Sequence, residues 1–250
     1  GSSAWPSSIK FVGNVKAVKE GAGTLTASGD LNIYEGAFVI KSGAVTVGEV
    51  MRIGYTLGKI AAVDVDGGTL TLNYNRDDGS ALVVGDTSTG TLTVNGGTVT
   101  VVNKDIYIAY NAGSVGTINL NGGTLFARRI VTNNGASRTL NFNGGTMKAK
   151  STVQQIGLIA EGVTVNVGEN GGTIDSGNLS DATSGSRVFV AADLGQPDDT
   201  GSLTLKGGKT INIEGDVNCG VIVELGTTIV ASKAILDNGF SIDGRTTLEA

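Results

Sequence analysis

The tripeptide Gly-Gly-Thr occurs five times, each time between short segments in which apolar and polar residues alternate. The copies begin at residues 67, 96, 122, 144 and 171, which gives successive steps of 29, 26, 22 and 27 residues. Repeats of about 20–50 residues are typical of solenoids, in which each repeat buries its apolar face only by stacking on its neighbours. This repeat therefore constrains the architecture more than any other feature of the chain.

The segment around Leu92 shows how each repeat alternates. Because successive side chains of a strand point to opposite faces, Leu92 and Val94 are predicted to point inward, and Thr91 and Thr93 outward. A second alternating segment follows the glycines, and a third, such as residues 106–110, follows in several repeats. Three short strands per repeat with no helical period predict an all-β fold, a three-sided parallel β-helix solenoid of about nine to eleven rungs.

The repeats are clearest over residues 60–175, and weaker variants extend toward both ends. No linker interrupts the pattern, so residues 4–250 are predicted to form one continuous domain. We expect residues 1–3 to be a cloning remnant and the chain to be an excised piece of a longer protein. Turn-forming residues predict loops at 175–187 and at 195–201, where Pro197-Asp198-Asp199 is the strongest turn signal.

Asparagine and glycine recur at one place in successive repeats. Asparagine side chains stacked about 4.8 Å apart can hydrogen-bond along their column. Glycine tolerates the positive φ that a sharp corner needs, and we expect it at the residue directly after each asparagine. Six residues are therefore predicted to form structural corners and not ligand sites: Asn95, Asn121, Asn143, Gly97, Gly123 and Gly145.

The composition excludes several classes of function. The net charge is −5 with no basic block, so a nucleic-acid partner, which requires a footprint of Lys and Arg, is not expected. Histidine is absent and the single Cys219 has no neighbouring ligand or nucleophile partner, so we predict no metal site and no cofactor. No apolar run is long enough for a transmembrane helix, so the fragment is not expected to be embedded in a membrane.

The string Gly90-Thr-Leu-Thr-Val-Asn-Gly-Gly-Thr98, repeated as Gly116-Thr-Ile-Asn-Leu-Asn-Gly-Gly-Thr124, resembles the autotransporter-associated β-strand repeat. That repeat belongs to passenger regions of large secreted and surface bacterial proteins. The resemblance implies a right-handed parallel β-helix that is secreted or displayed on a bacterial cell surface, often with an adhesive function. It carries over no catalytic residue, because the shared motif is a structural corner.

Three residues are candidates for ligand contact. Tyr55, Asp86 and Tyr110 occupy equivalent positions on the third strand of successive repeats, which places the tyrosines about 10 Å apart with the acid between them. Aromatic rings beside an acid can stack on sugars and hydrogen-bond their hydroxyls, although tyrosines at a corner also serve simply to cover apolar surface. We therefore expect a non-catalytic stalk or adhesin that binds a carbohydrate or a surface receptor weakly, or that acts as a structural spacer.

Two alternatives stay open. A polysaccharide lyase or glycoside hydrolase would need converging charged groups in one groove, for which Asp77, Asp78 and Arg129 are the candidates. Because adjacent strand residues point to opposite faces, at most one of Arg128 and Arg129 is expected to face a groove. A self-assembling surface-layer component would instead bind further copies of itself through the unpaired edges of its end rungs.

Overall fold

The alternating segments form strands in the computed structural model, which describes residues 1–5, 7–74, 79–101, 104–151, 155–179, 187–231, 240–242 and 247–249. Successive repeats contribute strands to three parallel sheets, here named A, B and C. The described residues contain no helix, and hence none that is long and apolar enough to span a membrane. The predicted all-β parallel β-helix is confirmed.

The strands are numbered in chain order. Sheet A contains β1 (Ser3–Trp5), β4 (Thr24–Ala27), β7 (Ala44–Val47), β10 (Thr69–Leu72), β13 (Thr98–Val101), β16 (Thr124–Ala127), β19 (Thr146–Ser151), β22 (Gly172–Leu179), β24 (Ser202–Lys206), β26 (Gly220–Val223) and β28 (Phe240–Ile242). Sheet B contains β2 (Ile9–Phe11), β5 (Leu31–Ile33), β8 (Met51–Ile53), β11 (Leu82–Val84), β14 (Ile106–Ile108), β17 (Ile130–Thr132), β20 (Gln155–Ile159), β23 (Arg187–Val190), β25 (Thr210–Ile213), β27 (Thr228–Ala231) and β29 (Thr247–Glu249). Sheet C contains β3 (Lys16–Lys19), β6 (Gly36–Ile40), β9 (Ile60–Val65), β12 (Thr89–Val94), β15 (Val115–Leu120), β18 (Ser137–Phe142) and β21 (Thr164–Val167).

Neighbouring strands of each sheet come from successive repeats, so the repeat unit is one rung of the coil. Leu92 and Val94 are fully buried and Thr91 and Thr93 are half-buried, as the alternation predicts. The inward columns of the three sheets meet in one continuous apolar core. The loop predicted at 175–187 is wrong in its first part, because β22 continues to Leu179; residues 180–186 lie outside the described part of the chain.

A ladder of side-chain amides follows the corner between sheets C and A. Asn95 Nδ2 donates to Asp66 Oδ1 at 2.8 Å, and Asn121 Nδ2 donates to Asn95 Oδ1 at 2.9 Å. Further along the same corner, Asn170 Nδ2 donates to Asn143 Oδ1 at 3.0 Å. These bonds follow the column that the sequence predicted, and they join one rung to the next without involving the backbone.

A second ladder, which the sequence reasoning missed, lies on the outer face of sheet C. Asn166 Nδ2 donates to Asn141 Oδ1 at 2.6 Å, and Asn141 Nδ2 donates to Asn119 Oδ1 at 2.7 Å. Asn119 Nδ2 reaches Thr93 Oγ1 at 3.4 Å, and Thr93 hydrogen-bonds to the Asp64 carboxylate. Burial raises the pKa of Asp64, and the bond from Thr93 opposes that shift. The amides of both ladders therefore donate toward the N-terminal rungs.

The positive φ predicted directly after each asparagine occurs at only one of the three corners. Gly144 has a φ of 109°, whereas Gly96 and Gly122 do not adopt a positive φ. In the rung of Gly96 the second glycine turns the chain instead, since Gly97 has a φ of 67°. The prediction is therefore wrong at two corners: at one of them the second glycine is the left-handed residue, and at the other neither Gly122 nor Gly123 has a positive φ.

The second glycines are required for a different reason at Gly123 and Gly145, neither of which has a positive φ. A Cβ atom at Gly123 would lie 2.6 Å from Val94 Cγ1, and one at Gly145 would lie 2.7 Å from Leu120 Cβ. Each corner thus stacks so closely on the rung before it that no side chain fits. Close approach of rungs, and not backbone conformation alone, explains the repeated glycine.

Within the described part of the chain, the last strand of sheet C is β21, while sheets A and B continue. Residues 191–201 and 214–219, all of which are described, contain no strand of sheet C. The loop at 195–201 covers the free edge of β21: Gln196 Nε2 donates to Val165 O at 3.2 Å, and Val167 N donates to Asp199 Oδ2 at 2.7 Å. Two side chains therefore take hydrogen-bonding positions that the next strand of sheet C would otherwise occupy.

We expect the double substitution Gln196→Ala and Asp199→Ala to cause self-association. Removing both side chains exposes the edge of β21, and an unpaired edge templates pairing with another chain. The variant should form concentration-dependent dimers that light scattering coupled to gel filtration detects, at concentrations where the unsubstituted chain and the control Asp198→Ala do not. Asp198 is an exposed residue of the same loop. An unchanged mass for the double variant would show that the edge is blocked by something else.

Candidate functional site

Four of the five tyrosines of the chain lie along sheet B and the corner that follows it. The rings of Tyr34 and Tyr55 meet edge to face with their centroids 5.1 Å apart, and those of Tyr107 and Tyr110 do so at the same distance. We name these four residues the tyrosine surface. Tyr55 and Tyr110 are each 37% exposed, so each pair leaves part of one ring open to solvent.

The register brings the three predicted residues into line but not onto the strand itself. β8, β11 and β14 pair in parallel without a shift, and Tyr55, Asp86 and Tyr110 each lie two residues beyond the end of their strand. Two rungs separate the tyrosines, which corresponds to about 10 Å. The residues therefore lie at the corner between sheets B and C, where side chains can project away from the sheet.

The corner loops differ in length along this column. Six residues join β8 to β9 and six join β14 to β15, whereas only four join β11 to β12 between them. The short loop is held against its longer neighbour, because Thr87 Oγ1 donates to Tyr55 O at 2.7 Å and Ser88 Oγ donates to Lys59 O at 2.5 Å. Asp86 thus belongs to a short loop flanked by two longer ones, each of which begins beside a tyrosine.

Asp86 is buried, with 5% of its surface exposed, and both of its oxygens are occupied. Asn111 Nδ2 donates to Oδ1 at 2.8 Å, and Arg52 Nε lies 3.4 Å from Oδ2. Burial raises the pKa of Asp86, and the Arg52 charge and the Asn111 hydrogen bond oppose that shift. The sequence predicted an acid offered to a ligand between the tyrosines; the structure shows a buried acid whose two oxygens contact Asn111 and Arg52.

Arg52 connects the acids of this region to the aromatic rings. Its Nη1 donates to Asp30 Oδ2 at 2.9 Å and reaches Asn32 Oδ1 at 3.4 Å, while its guanidinium carbon lies 5.6 Å from the centre of the Tyr55 ring. A guanidinium over an aromatic face is attractive, and here two carboxylates hold it in place. The contact with Arg52 therefore helps to fix the orientation of the Tyr55 ring.

A surface cavity of about 590 Å³ adjoins the loop that carries Tyr55. Its lining includes Val15, Lys16, Glu35, Lys59 and Ile60, of which Ile60 is 69% exposed and Val15 is 48% exposed. Lys59 Nζ lies 3.4 Å from Glu35 Oε2 in a partly exposed ion pair. The lining of this cavity therefore combines exposed apolar side chains with charged ones.

Of the residues proposed for catalysis, only Arg129 lies within the described part of the chain. Asp77 and Asp78 lie outside the described residues. Arg128 and Arg129 form the corner between β16 and β17 and not part of a strand, and each places its Nε 3.0 Å from Oδ1 of the buried Asp105. The expectation that strand alternation would separate the two arginines is therefore wrong, because a corner releases both side chains to the same side.

Two further features of the described residues bear on catalysis, an acidic cavity and the single cysteine. A cavity of about 580 Å³ near the end of sheet C is lined by the carboxylates of Glu161, Asp193, Glu214 and Asp216. Within the described ranges, however, no three acidic or thiol side chains are placed to hold a metal ion. Cys219 is buried, and burial raises the pKa of its thiol to about 11, so it stays protonated at neutral pH.

Comparison of the chain with protein-family models, with curated proteins and with solved structures gave no match. The fold therefore defines a class, the parallel β-helix, and the function has to be argued from the tyrosine surface. Sequence reasoning missed Tyr34, Tyr107 and Arg52 at this surface. Tyr107 lies three residues before Tyr110 in the sequence, and Tyr34 directly follows β5. Only the pairing of the sheet B strands shows that both tyrosine pairs lie along the same corner.

Proposed function

We propose that the chain is a non-catalytic segment of an extracellular, bacterial cell-surface stalk or adhesin that binds glycans weakly through the tyrosine surface. The observation that carries the proposal is the gathering of four of five tyrosines at one corner of a long solenoid. Sugars present apolar C–H faces and polar hydroxyl edges, and tyrosine matches both with its ring face and its hydroxyl group.

The contacts beneath the rings support this proposal. Tyr55 is held by Tyr34 and Arg52, and Tyr110 is held by Tyr107, so ligand binding would immobilise few additional side chains. Preorganised groups bind more tightly because less conformational entropy is lost on association. The site is shallow, which fits weak contacts that gain strength when many copies act together on one surface.

Two further observations support the non-catalytic and cell-surface parts of the proposal. The Arg129 guanidinium, the candidate base of a lyase, is engaged by Asp105 on the corner between sheets A and B. The repeat resembles passenger regions displayed outside bacterial cells, and a continuous core gives such a rod its stability without disulfides.

Substituting both Tyr55 and Tyr110 with alanine should reduce binding of a soluble glucan about tenfold, since each exposed ring contributes about 0.5–1.5 kcal/mol of stacking. Retardation in affinity gels that contain a panel of plant and host polysaccharides is the measurement, followed in parallel with assays for reducing and unsaturated sugar ends. Retardation without product is the expected result for the unsubstituted chain.

Two matched controls separate ring loss from general damage. Leu57→Ala removes an exposed apolar side chain from the same loop as Tyr55, and Phe126→Ala removes an aromatic ring from the outer face of sheet A. Both should bind like the unsubstituted chain. Equal binding by the double tyrosine variant would disprove the role of the tyrosine surface, and any sugar product that survives repurification would disprove the non-catalytic proposal.

A further inference from the structure

The charged side chains near Tyr55 form ion pairs with one another. Arg52 lies over the Tyr55 ring, Lys59 belongs to the same loop as Tyr55, and both are paired. Arg52 contacts the carboxylates of Asp30 and Asp86, and Lys59 contacts that of Glu35. Three acids thus accompany two cations, which leaves this part of the surface with a net charge of about −1.

The environment of Arg52 makes it a poor receptor for a ligand carboxylate. An arginine that recognises a carboxylate does so by presenting two parallel N–H groups to it. Here Nη1 is directed at Asp30 and Nε at Asp86, and the guanidinium lies over the ring of Tyr55. A uronic acid approaching this corner would meet one occupied guanidinium and two carboxylates of the protein.

The other basic residues near the tyrosine surface are either paired or distant. Arg129 interacts electrostatically with Tyr107, and it is paired with Asp105, as is Arg128. Lys16, at the far side of the adjoining cavity, interacts with Asp64. Lys10 lies on β2, one rung further toward the N-terminal end than Asn32 of β5 and two further than Arg52. Both lysines are separated from Tyr110 by several rungs, so neither provides a positive charge between the two tyrosine pairs.

We infer that the tyrosine surface selects neutral glycans and discriminates against chains of uronic acids, and that Asp30 is a specificity-determining residue because it keeps Arg52 occupied. This inference rests on the proposed function, and it names the class of ligand that the same surface accepts. Asp30 suits the role because its side chain is 32% exposed and lies at the rim, where its charge is close to an approaching ligand.

The test compares a neutral mixed-linkage glucan with polygalacturonate of similar chain length, at constant ionic strength, in affinity gels. The unsubstituted chain should be retarded by the glucan and much less by polygalacturonate. Asp30→Asn should increase the apparent affinity for polygalacturonate about threefold, the effect of freeing one partly exposed ion pair, and leave glucan binding unchanged. Asparagine keeps an oxygen for the hydrogen bond that Val50 N donates to Asp30 Oδ1 at 3.1 Å, so the fold is preserved.

Asp193→Asn is the matched control, because it removes one negative charge at a distant carboxylate that also accepts a backbone N–H. A similar gain in both variants would assign the effect to the net charge of the whole protein and would overturn the inference. Equal or stronger binding of polygalacturonate by the unsubstituted chain would overturn the inference and leave the proposed glycan binding standing. Binding of neither polysaccharide would overturn the proposed function and, with it, the inference.

Discussion

Gly97→Ala is expected to lower the free energy of unfolding by about 2–5 kcal/mol, one of the two largest effects that we predict. The residue has a φ of 67°, where an L side chain costs about 1–2 kcal/mol. Its Cβ would also collide with the backbone oxygen of Gly68 in the rung before it, and forcing a group into a packed position costs about 1–3 kcal/mol more. Chemical denaturation followed by circular dichroism measures the change.

Two other glycines separate these causes. Gly113 has a φ of 81° with open space around its Cβ position, so Gly113→Ala should show only the conformational cost. Gly145 lacks a positive φ but approaches Leu120 closely, so Gly145→Ala should show only the cost of crowding. If Gly97→Ala were no worse than Gly113→Ala, close stacking of the corners would not be the reason for the repeated Gly-Gly pair.

Asp105→Asn should destabilise the protein by about 2–3 kcal/mol at neutral pH. The buried carboxylate accepts hydrogen bonds from Arg128 and Arg129, and its loss leaves two neighbouring guanidinium groups without a counter-charge. This loss of stability is smaller than that for a fully buried ion pair. The two arginine side chains are 33% and 43% exposed, so water can hydrate their guanidinium groups in the variant. Denaturant titration of both proteins gives the difference.

The effect of Asp105→Asn should depend on pH. Burial by itself would raise the pKa of Asp105, but the hydrogen bonds and charges of Arg129 and Arg128 outweigh burial and hold the pKa below its ordinary value of 3.8. A lowered carboxyl pKa stabilises the fold above the ordinary value, and this contribution disappears as the pH falls through the lowered pKa. The difference in the free energy of unfolding between the two proteins should therefore be largest at pH 7 and disappear in strong acid.

The control for both measurements is Asp198→Asn, in an exposed position of the 195–201 loop. A surface substitution of this kind should change stability by less than about 0.5 kcal/mol at either pH. If the loss of stability in Asp105→Asn were the same in acid as at pH 7, its origin would be packing and not electrostatics.

The fold was predictable from the sequence because its two signals are local. Alternation at Leu92 and Val94 identifies strands and their inward faces, and the Gly-Gly-Thr register aligns them into rungs. The end of sheet C at β21 was not predictable. The residues that follow β21 include turn formers, as the residues at the other corners do, so the sequence does not distinguish them. Only the bonds of Gln196 and Asp199 show that a loop has replaced a strand.

The candidate site was predictable in part, for a similar physical reason. Tyr55 and Tyr110 align because the strands before them are in register, which spacing reveals. The burial of Asp86 was not visible, because it depends on the lengths of three adjacent corner loops and on Arg52 reaching across rungs. Contacts between residues more than 20 positions apart, such as Tyr34 with Tyr55, follow from the stacking and not from any local pattern.

The two asparagine ladders make the length of this rod adjustable. Asn141 donates to the rung before it and accepts from the rung after it, so a further rung carrying the same residue could be inserted beside it with every ladder bond preserved. Asp64 and Asp66 act as acceptors at the N-terminal end of the columns. This fold should therefore tolerate duplication or deletion of whole units of 22–29 residues. Such a change would alter the length of the rod and preserve the hydrogen bonds between its rungs.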